Sequence, residues 1–292
     1  MNESKRYKPV GRCIYCSRDS TGSALGDDHI IALGLGGTLV LPKSSCRECE
    51  RATSRVELEV LREALGESRA QLKIASRRHK KRKKGLKDTF LVGITVDGRR
   101  EYREIHIDSI PTMMAMFAFD PPGILRGIPS NDTNLALRLW IRSIAPNAIN
   151  RLVALGGSAE RVTGVNYSAY CRMLAKIAHS FAVAEKGIES FSPLLCDMIR
   201  HEVSMDPVYP YLIGGFGREP VSLSDGKSRH ELRLCTVDHG GTEYLCAHIQ
   251  LFAKLSTPVY QVIVGKLIKG GKRPVLDTAR KDNKVSGTNG TA

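Results

Sequence analysis

Four of the eight cysteines in this 292-residue chain fall into two close pairs. The pairs are Cys13 with Cys16 and Cys46 with Cys49. A Cys-x2-Cys turn presents two thiolates on one side of a tight loop, and two such turns complete a tetrahedral zinc site without an open position. The spacing therefore predicts a structural zinc ion. The other four cysteines are isolated within apolar stretches and are predicted to be small buried residues. These are Cys171, Cys196, Cys235 and Cys246.

An acidic pair followed by a histidine, Asp27-Asp28-His29, lies between the two cysteine pairs and just before a glycine-rich loop. Hydrolysis of a phosphodiester needs a base for water and a divalent metal, held by hard oxygen ligands, that neutralises charge on the phosphate. Consecutive side chains of a strand point to opposite faces. We therefore expect Asp28 to reach the metal and His29 to reach the water where the strand end curls around the phosphate. On their own, the same residues are typical of a solvated turn.

Short elements must position these groups. Ile30 and Ile31 predict a strand, the glycines of residues 34–37 predict a loop, and residues 39–41 predict a second strand. Apolar residues at helical spacing after Cys49 predict a helix that ends at Gly66. A unit of this size has little core of its own, so a zinc ion that closes two loops would contribute much of its stability.

The sequence Cys-x2-Cys, DDHIIALGLGG and Cys-x2-Cys-Glu, within residues 13–60, resembles the zinc-knuckle branch of the HNH endonucleases, which have a ββα-metal fold. The resemblance implies that Asp28 binds the catalytic metal, Mg²⁺ or Mn²⁺, and that His29 is the general base. It also implies a metal ligand directly after the last cysteine, where this chain has Glu50. Cleavage is implied to leave a 5′-phosphate and a 3′-hydroxyl.

The chain departs from the HNH pattern at two places. Glu50 stands where histidine or asparagine is common, although glutamate can ligate Mg²⁺ through oxygen. Three residues on the same helix face are alternatives for this ligand. They are Thr53, Ser54 and Glu57. The middle asparagine is missing from residues 30–50, where Thr38 or Ser44 could hold the loop. A second function therefore stays open, namely an inactive zinc-stapled nucleic-acid-binding or sensing protein whose C-terminal domain recognises a partner or ligand.

The charge of the chain is concentrated in one segment. The chain has 44 lysines and arginines against 30 acidic residues, a net charge of +14, and residues 77–87 hold eight of the basic residues and no acidic one. This excess indicates a polyanionic partner, and we expect DNA, contacted through its phosphates without sequence specificity. A solvated linker would have the same composition. The predicted nucleic-acid-binding residues are Arg77, Arg78, Lys80, Lys81, Arg82, Lys83 and Lys84.

The remaining sequence predicts helices and strands but does not indicate a particular reaction or ligand. Asp97-Gly98 between two alternating runs predicts a hairpin. The prolines and glycines of residues 111–130 predict a loop with at most a short helix through residues 113–117. We expect helices at three further places, with His179 packed in the second of them rather than binding a ligand. They are one from Asp132 through Ile144, one from Ser168 to Gly187, and one opened by Ser192-Pro193 to about Val203. Three β-rich runs between residues 230 and 268 predict an antiparallel meander.

The predicted fold class is α+β, with a small N-terminal zinc-stapled ββα-metal module before a larger mixed α+β domain that contains an antiparallel sheet. The expected division is a nuclease module over 1–65, a basic linker over 66–88, an α+β domain of unknown role over 89–268 and a disordered tail over 269–292. No apolar run approaches the ~20 residues that cross a bilayer, and the N-terminus has no apolar segment typical of a secretory signal. We therefore expect no transmembrane helix and a cytoplasmic protein.

Overall fold

The structure is a computed structural model, and its described residues give a mixed α+β protein with antiparallel sheets, as predicted. The described residues are 5–19, 24–74, 89–96, 98–132, 138–145, 147–154, 159–160, 166–200, 208–217, 221–223 and 228–268. The basic run at 77–87, the end of the predicted helix near Val203 and the predicted tail at 269–292 lie outside them. Within the described part, no helix is long and apolar enough to cross a membrane.

The N-terminal module has the predicted order of strand, loop, strand and helix, but the first of these strands ends at His29, and Ile30 and Ile31, predicted to form it, lie in the bend that follows. Strand β1 (Lys5–Arg6) pairs in parallel with β3 (Leu39–Ser45), and β3 pairs antiparallel with β2 (Gly26–His29). A short 3-10 turn closes the loop between β2 and β3, and Gly36 ends that turn with a left-handed φ of 84°. The loop thereby returns the chain so that His29 lies opposite Val40.

Helix α1 (Arg47–Arg62) begins directly after Cys46, which is extended and forms the N-cap. Acidic residues in its first turn and Arg62 in its last turn complement the helix dipole. Its buried side chains include Val56 and Val60. The helix packs against a later helix, α4 (Tyr167–Lys186), so the module is covered by the second half of the chain.

A second, smaller core lies beside the module. Helix α2 (Gly66–Gln71) contributes Ala70 to a cluster that includes Phe90, Val92 and Ile94 from the next strand. That strand, β4 (Thr89–Val96), pairs with β5 (Arg99–His106) in the predicted hairpin, and β4 also pairs with the short β8 (Ala159–Glu160). The hairpin prediction at Asp97-Gly98 is therefore confirmed by the strand register.

Two predicted helices are wrong. Residues 113–118 form strand β6 (Met113–Ala118), which pairs antiparallel with β7 (Arg138–Ser143) in the region of the predicted helix through Ile144. Burial alternates along the start of β7, where Arg138 and Trp140 are half-buried and Leu139 and Ile141 are exposed, and this period of two is typical of a strand. A short helix, α3 (Ala148–Ala154), follows β7.

The long core helix is confirmed as α4, which begins at the N-cap Asn166 and ends before Gly187. Fourteen of its residues are buried, because one side faces the N-terminal module and the other faces a sheet. A helix that is buried all round is a core element of a large protein. The buried set includes the polar residues Lys176, His179 and Ser180, and His179 is packed as predicted.

The predicted helix from Ser192 begins later than expected. Ser192 and Pro193 lie in strand β9 (Phe191–Pro193), and α5 (Cys196–Arg200) follows it. Proline is tolerated there because this short strand pairs only with β13 (Val259–Leu267) among the described strands, at a sheet edge. The cap-and-proline pattern therefore marks an edge strand rather than a helix start.

The predicted meander is confirmed. Strands β11 (His230–His239), β12 (Thr242–Leu251) and β13 are antiparallel neighbours. Strand β13 also pairs with β10 (Ile213–Gly215), which follows the short helix α6 (Val208–Leu212). The Tyr260 hydroxyl of β13 lies 2.8 Å from that of Tyr170 on α4.

One continuous hydrophobic core crosses the predicted boundary between the module and the α+β domain. It runs from Cys13 and Ile30 in the module through Leu174 of α4 to Val262 in β13. The N-terminal module therefore packs on α4 as an integral layer, and α4 is placed to supply side chains to the candidate site.

Candidate functional site

The four predicted zinc ligands meet in one cluster. The Sγ atoms of Cys13, Cys16, Cys46 and Cys49 all lie within 4.8 Å of one another, and those of Cys16 and Cys46 are 3.7 Å apart. Zn–S bonds of ~2.3 Å in a tetrahedron place sulfur atoms about 3.8 Å apart. The four thiols can therefore hold a structural metal ion such as zinc.

Local backbone geometry produces this convergence. The first pair lies in a tight turn, in which the backbone NH of Ser17 donates to the carbonyl of Cys13 at 2.9 Å and Ser17 has a positive φ of 59°. The second pair lies at the start of α1, with Cys46 as its N-cap and Cys49 one turn later. A helix N-terminus favours negative charge, so this position suits thiolates.

Hydrogen bonding and burial shift the pKa values of three of these thiols. The hydrogen bond from Cys49, opposed by burial, lowers the pKa of Cys13 to about 4. The same hydrogen bond, together with burial, raises the pKa of Cys49, and burial raises that of Cys16. A metal ion would expel the remaining protons, because only thiolates ligate zinc tightly.

Asp28 of the DDH motif is buried, with a relative exposure of 7%. Its Oδ2 accepts hydrogen bonds from the hydroxyls of Tyr15, at 2.8 Å, and Ser180, at 2.6 Å. Burial and the nearby Asp28 carboxylate raise the pKa of Tyr15 well above its ordinary value, so the phenol stays protonated and donates. The first cysteine turn and helix α4 thus fix this carboxylate in one orientation.

The second oxygen of Asp28 faces a buried cation. The Nζ atom of Lys176 lies 2.9 Å from Asp28 Oδ1 and 2.9 Å from Glu57 Oε1. It also donates to the backbone carbonyl of His29. Lys176 is only 2% exposed, so three oxygen atoms from β2 and α1 surround an ammonium supplied by α4. We call this group the acid–lysine cluster.

The electrostatics of the acid–lysine cluster favour the charged ammonium. Burial disfavours the charged form of Lys176, but the facing carboxylates of Asp28 and Glu57 outweigh burial and raise the pKa of the ammonium above its ordinary value. A buried charge of this kind requires partners, since an unpaired ion in the interior is very costly. The cluster is therefore built around a cation.

The oxygen donors of the acid–lysine cluster can be compared with the ligands that a catalytic divalent metal requires. Carboxylate and carbonyl oxygens are the ligands that Mg²⁺ and Mn²⁺ prefer, so the chemistry of the donors fits. The position among them is held by the Lys176 ammonium, however, and a divalent ion requires that this ammonium withdraw. Metal and ammonium thus exclude each other at this place.

Two further predicted site residues, His29 and Glu50, lie on β2 and α1, the elements that contribute oxygen atoms to the acid–lysine cluster. His29 is the last residue of β2 and is half-buried, directly after Asp28. Glu50 is exposed beside the start of β2, where its Oε2 lies 3.3 Å from the position that a Cβ on Gly26 would occupy. In the described part of the chain, close groups of metal-ligand atoms are formed by cysteine-containing clusters and not by Asp28, His29 and Glu50. The role of Glu50 as a metal ligand stays a prediction.

The alternatives to Glu50 differ in their surroundings. Glu57 reaches the cluster through Lys176, whereas the hydroxyl of Thr53 donates to the carbonyl of Cys49 at 3.1 Å within α1, and Ser54 is exposed. A recess between α1, α4 and α5 is lined in part by Glu57 and Lys176, but it leaves no space for a water-sized molecule. Sites that enclose organic ligands have volumes of ~300–1,000 Å³, so a polymer would have to bind across the surface.

Two residues proposed to hold the loop in place of the missing asparagine also differ. Ser44 is fully buried and its hydroxyl donates to the carbonyl of Leu41 at 2.7 Å. Thr38 precedes β3 and is half-buried. This hydrogen bond of Ser44 thus stabilises β3, the strand that leads into the second cysteine pair.

Helix α4 also supports the first cysteine turn. His179 is fully buried, and its Nε2 donates to the carbonyl of Ile14, between Cys13 and Cys16, at 2.7 Å. Burial lowers the pKa of His179, so the ring is neutral. Lys176, His179 and Ser180 lie about one turn apart and face the module together.

Sequence reasoning missed the contribution of α4 to the site. The available signal was the presence of Lys176 and Ser180 inside an otherwise apolar helix, at spacings that share one face with His179. The apolar periodicity alone predicts a core helix and says nothing about polar partners for the module. The predicted phosphate contacts at residues 77–84 lie outside the described residues.

Comparison of the chain with protein family models, with curated proteins and with solved structures found no match.

Proposed function

We propose that the chain is a zinc-stapled HNH-type endonuclease that hydrolyses phosphodiester bonds of DNA. The observation that supports it best is the acid–lysine cluster, in which oxygen atoms of Asp28, Glu57 and the His29 backbone converge on one cation. His29, directly after Asp28 in β2, also carries an imidazole that can act as a base. A cation position and a base on neighbouring residues are the two features that phosphodiester hydrolysis needs.

In this proposal His29 is the general base. It takes a proton from water as the water oxygen attacks phosphorus, the bond from phosphorus to the 3′ oxygen breaks, and that oxygen leaves as a hydroxyl after taking a proton from solvent. Lys176 holds the backbone of His29, because its ammonium donates to the His29 carbonyl. Tyr15 and Ser180 hold the neighbouring Asp28 carboxylate at hydrogen-bond distances of 2.8 and 2.6 Å. A zinc ion on the four cysteines would hold in place the first cysteine turn, which carries Tyr15.

The catalytic cofactor in this proposal is Mg²⁺ or Mn²⁺, with Asp28 and Glu57 as the acidic ligands and Glu50 as the predicted third. Such an ion would stabilise negative charge on the phosphate. In this structure the Lys176 ammonium occupies the position between these carboxylates that the metal ion would take. An active arrangement therefore needs Lys176 to withdraw.

The substrate assignment is supported by charge. The net charge of +14 is concentrated in residues 77–87, which follow the module and its helix α2. Such a segment can contact DNA phosphates of any sequence, and it adds affinity rather than specificity. We propose a cytoplasmic location for this activity.

A second candidate function is an inactive nucleic-acid-binding or sensing module. It is favoured by the burial of Lys176, which is 2% exposed and paired with two carboxylates. A permanent ammonium would replace the catalytic metal and stabilise the fold without chemistry. The two candidates differ in one property, which is cleavage.

The test is plasmid cleavage by the purified full chain with Mg²⁺, with Mn²⁺ or with EDTA. We expect cleavage with a divalent ion and none with EDTA. His29→Ala should reduce the rate by ~10²–10⁴-fold, because a general base contributes that much. A matched control is His106→Ala, since His106 is an exposed histidine on the β4–β5 hairpin.

Two controls make the outcome decisive. The zinc content of His29→Ala should equal that of the unmodified protein, and both should bind DNA equally in EDTA. Cleavage by His29→Ala at the unmodified rate would overturn the role of His29. No cleavage under any condition, with DNA binding intact, would favour the inactive module.

A further inference from the structure

Three metal-ligand side chains meet on the C-terminal sheet, far along the chain from the four-cysteine cluster. Cys235 on β11 lies directly opposite Cys246 on β12 in the strand register. His248 follows Cys246 by two residues on the same strand, so both side chains point to the same face of the sheet. The meander thus brings three donors together that the linear sequence separates.

The distances between these donors are short. The Sγ atoms of Cys235 and Cys246 and a ring nitrogen of His248 all lie within 4.8 Å of one another. The Cys235 Sγ atom is 3.4 Å from His248 Nε2. Cys246 is fully buried, whereas Cys235 and His248 are half-buried. One donor of the group is therefore fixed in the core, and the other two are accessible from solvent.

Neighbouring side chains orient the histidine. The Phe216 ring packs edge-on against the His248 ring, with centroids 5.2 Å apart. The side-chain amide nitrogen of Gln261, on β13, lies 3.4 Å from His248 Nε2. Arg233, the register partner of His248, is turned to the carbonyl of Leu223. The imidazole is thus held toward the two thiols.

We propose that Cys235, Cys246 and His248 form a second metal site, which binds a thiol-preferring divalent cation such as Zn²⁺. Two sulfur donors and one imidazole are a ligand set that zinc accepts, whereas Mg²⁺ and Ca²⁺ require oxygen. Helix α4 packs on β12 and β13, which keeps the backbone of this site fixed.

The proposed site differs from the four-cysteine cluster in one chemical respect. Three protein ligands leave a fourth position of a tetrahedral zinc ion for water or an incoming group. Within the described part of the chain, no further cysteine, histidine or acidic side chain joins this group. The second site is therefore open where the first is closed.

The test is the zinc content of the full chain, purified anaerobically with reductant, loaded with Zn²⁺ and desalted. We expect about two zinc ions per chain. Cys235→Ala and His248→Ala should each lower this to about one, with unchanged far-UV circular dichroism. Cys171→Ala is the matched control, because Cys171 is a fully buried cysteine in α4 outside both clusters, and it should keep about two.

Cobalt substitution provides a second readout that does not depend on the stability of a variant. Loading with Co²⁺ should give absorption from two sites, and exogenous imidazole should alter the spectrum of the open site only. One zinc ion per unmodified chain, lost on Cys13→Ala and unaffected by Cys235→Ala, would overturn the proposal. So would a disulfide between Cys235 and Cys246 in the anaerobically purified protein, detected by mass spectrometry.

Discussion

The N-terminal module contains two polar centres that are assembled in different ways. The four-cysteine cluster takes all its ligands from residues 13–49, and a tight turn and the first turn of α1 bring them together. The acid–lysine cluster joins Lys176 to the carbonyl of His29, 147 positions away in the chain. The first centre depends on local turns, whereas the second depends on docking of α4 against α1 and β2.

The two centres meet two separate requirements of the site, which are a fixed backbone for the module and a complete set of partners for the buried Asp28. A closed metal cluster can fix the strands and helix of a small module by itself. A buried carboxylate such as Asp28 needs a complete set of partners, and these come from the first cysteine turn and from α4. The candidate site is therefore a property of the whole packed chain and not of the module alone.

The largest expected effect is from the cysteines. Cys13→Ser should abolish tight zinc binding and unfold the module, because structural zinc in small domains contributes ~10–16 kcal/mol to binding and folding. Since one core joins the module to α4 and β13, we expect the remainder of the chain to lose stability as well. Metal analysis with urea unfolding measures both effects, and unchanged zinc content in Cys13→Ser would exclude this cysteine as a ligand.

The sequence predicts the four-cysteine cluster, whose ligands lie close together in the chain. It misses most of the acid–lysine cluster, whose partners lie far apart in the chain. Two Cys-x2-Cys pairs identify their partners by spacing alone, and the Asp97-Gly98 hairpin identifies its own register. The pairing of Asp28 with Lys176 depends on how α4 docks, and no short-range pattern specifies that docking. Residues 138–143 show a related limit, because the consecutive apolar residues Leu139, Trp140 and Ile141 are compatible with either a strand or a helix.

Cys235 and Cys246 are an intermediate case. The sequence analysis predicts isolated buried residues, yet the two cysteines are cross-strand partners in the meander. Their positions are symmetric about the turn at Gly240-Gly241, so the register of the predicted hairpin contained the information. Combining the strand prediction with the cysteine positions would have paired them.

The next largest effect should follow from removing the buried ammonium. Lys176→Met leaves Asp28 and Glu57 facing each other without their cation, and breaking a buried ion pair costs ~3–5 kcal/mol. The measurement is urea unfolding in EDTA-treated buffer, with zinc content as a check. Lys266→Met, at an exposed lysine of β13, should change stability by less than about 0.5 kcal/mol. Equal stabilities for the two variants would mean that the cluster contributes nothing.

Tyr15→Phe should have a smaller effect on the same cluster. The substitution removes one donor to Asp28 Oδ2 and keeps the ring, while Ser180 still donates. We expect a loss of ~1–3 kcal/mol, since a buried acceptor loses one of its hydrogen bonds. A double-mutant cycle with Ser180→Ala measures the coupling, and strict additivity would show that the two hydroxyls act independently.

The smallest effect on the fold should come from the basic segment. Neutralising Lys80, Lys81, Arg82, Lys83 and Lys84 should leave unfolding unchanged and weaken binding to any duplex DNA. For each phosphate that is no longer neutralised, the slope of log K against log salt should become shallower by ~0.9. A slope equal to that of the unmodified chain would assign these residues to a solvated linker.

If the acid–lysine cluster is a cation position, a divalent ion should be able to replace the ammonium, and Mn²⁺ binding to Lys176→Met measures this. Mn²⁺ should stabilise this variant against unfolding, by about 2.7 kcal/mol at 100 times Kd, because the ion binds the folded state where the ammonium was. Asp28→Asn combined with Lys176→Met should abolish the stabilisation, and the unmodified chain should need higher Mn²⁺. If Mn²⁺ leaves the unfolding of Lys176→Met unchanged, the cluster does not bind a metal, and the endonuclease proposal loses its main support.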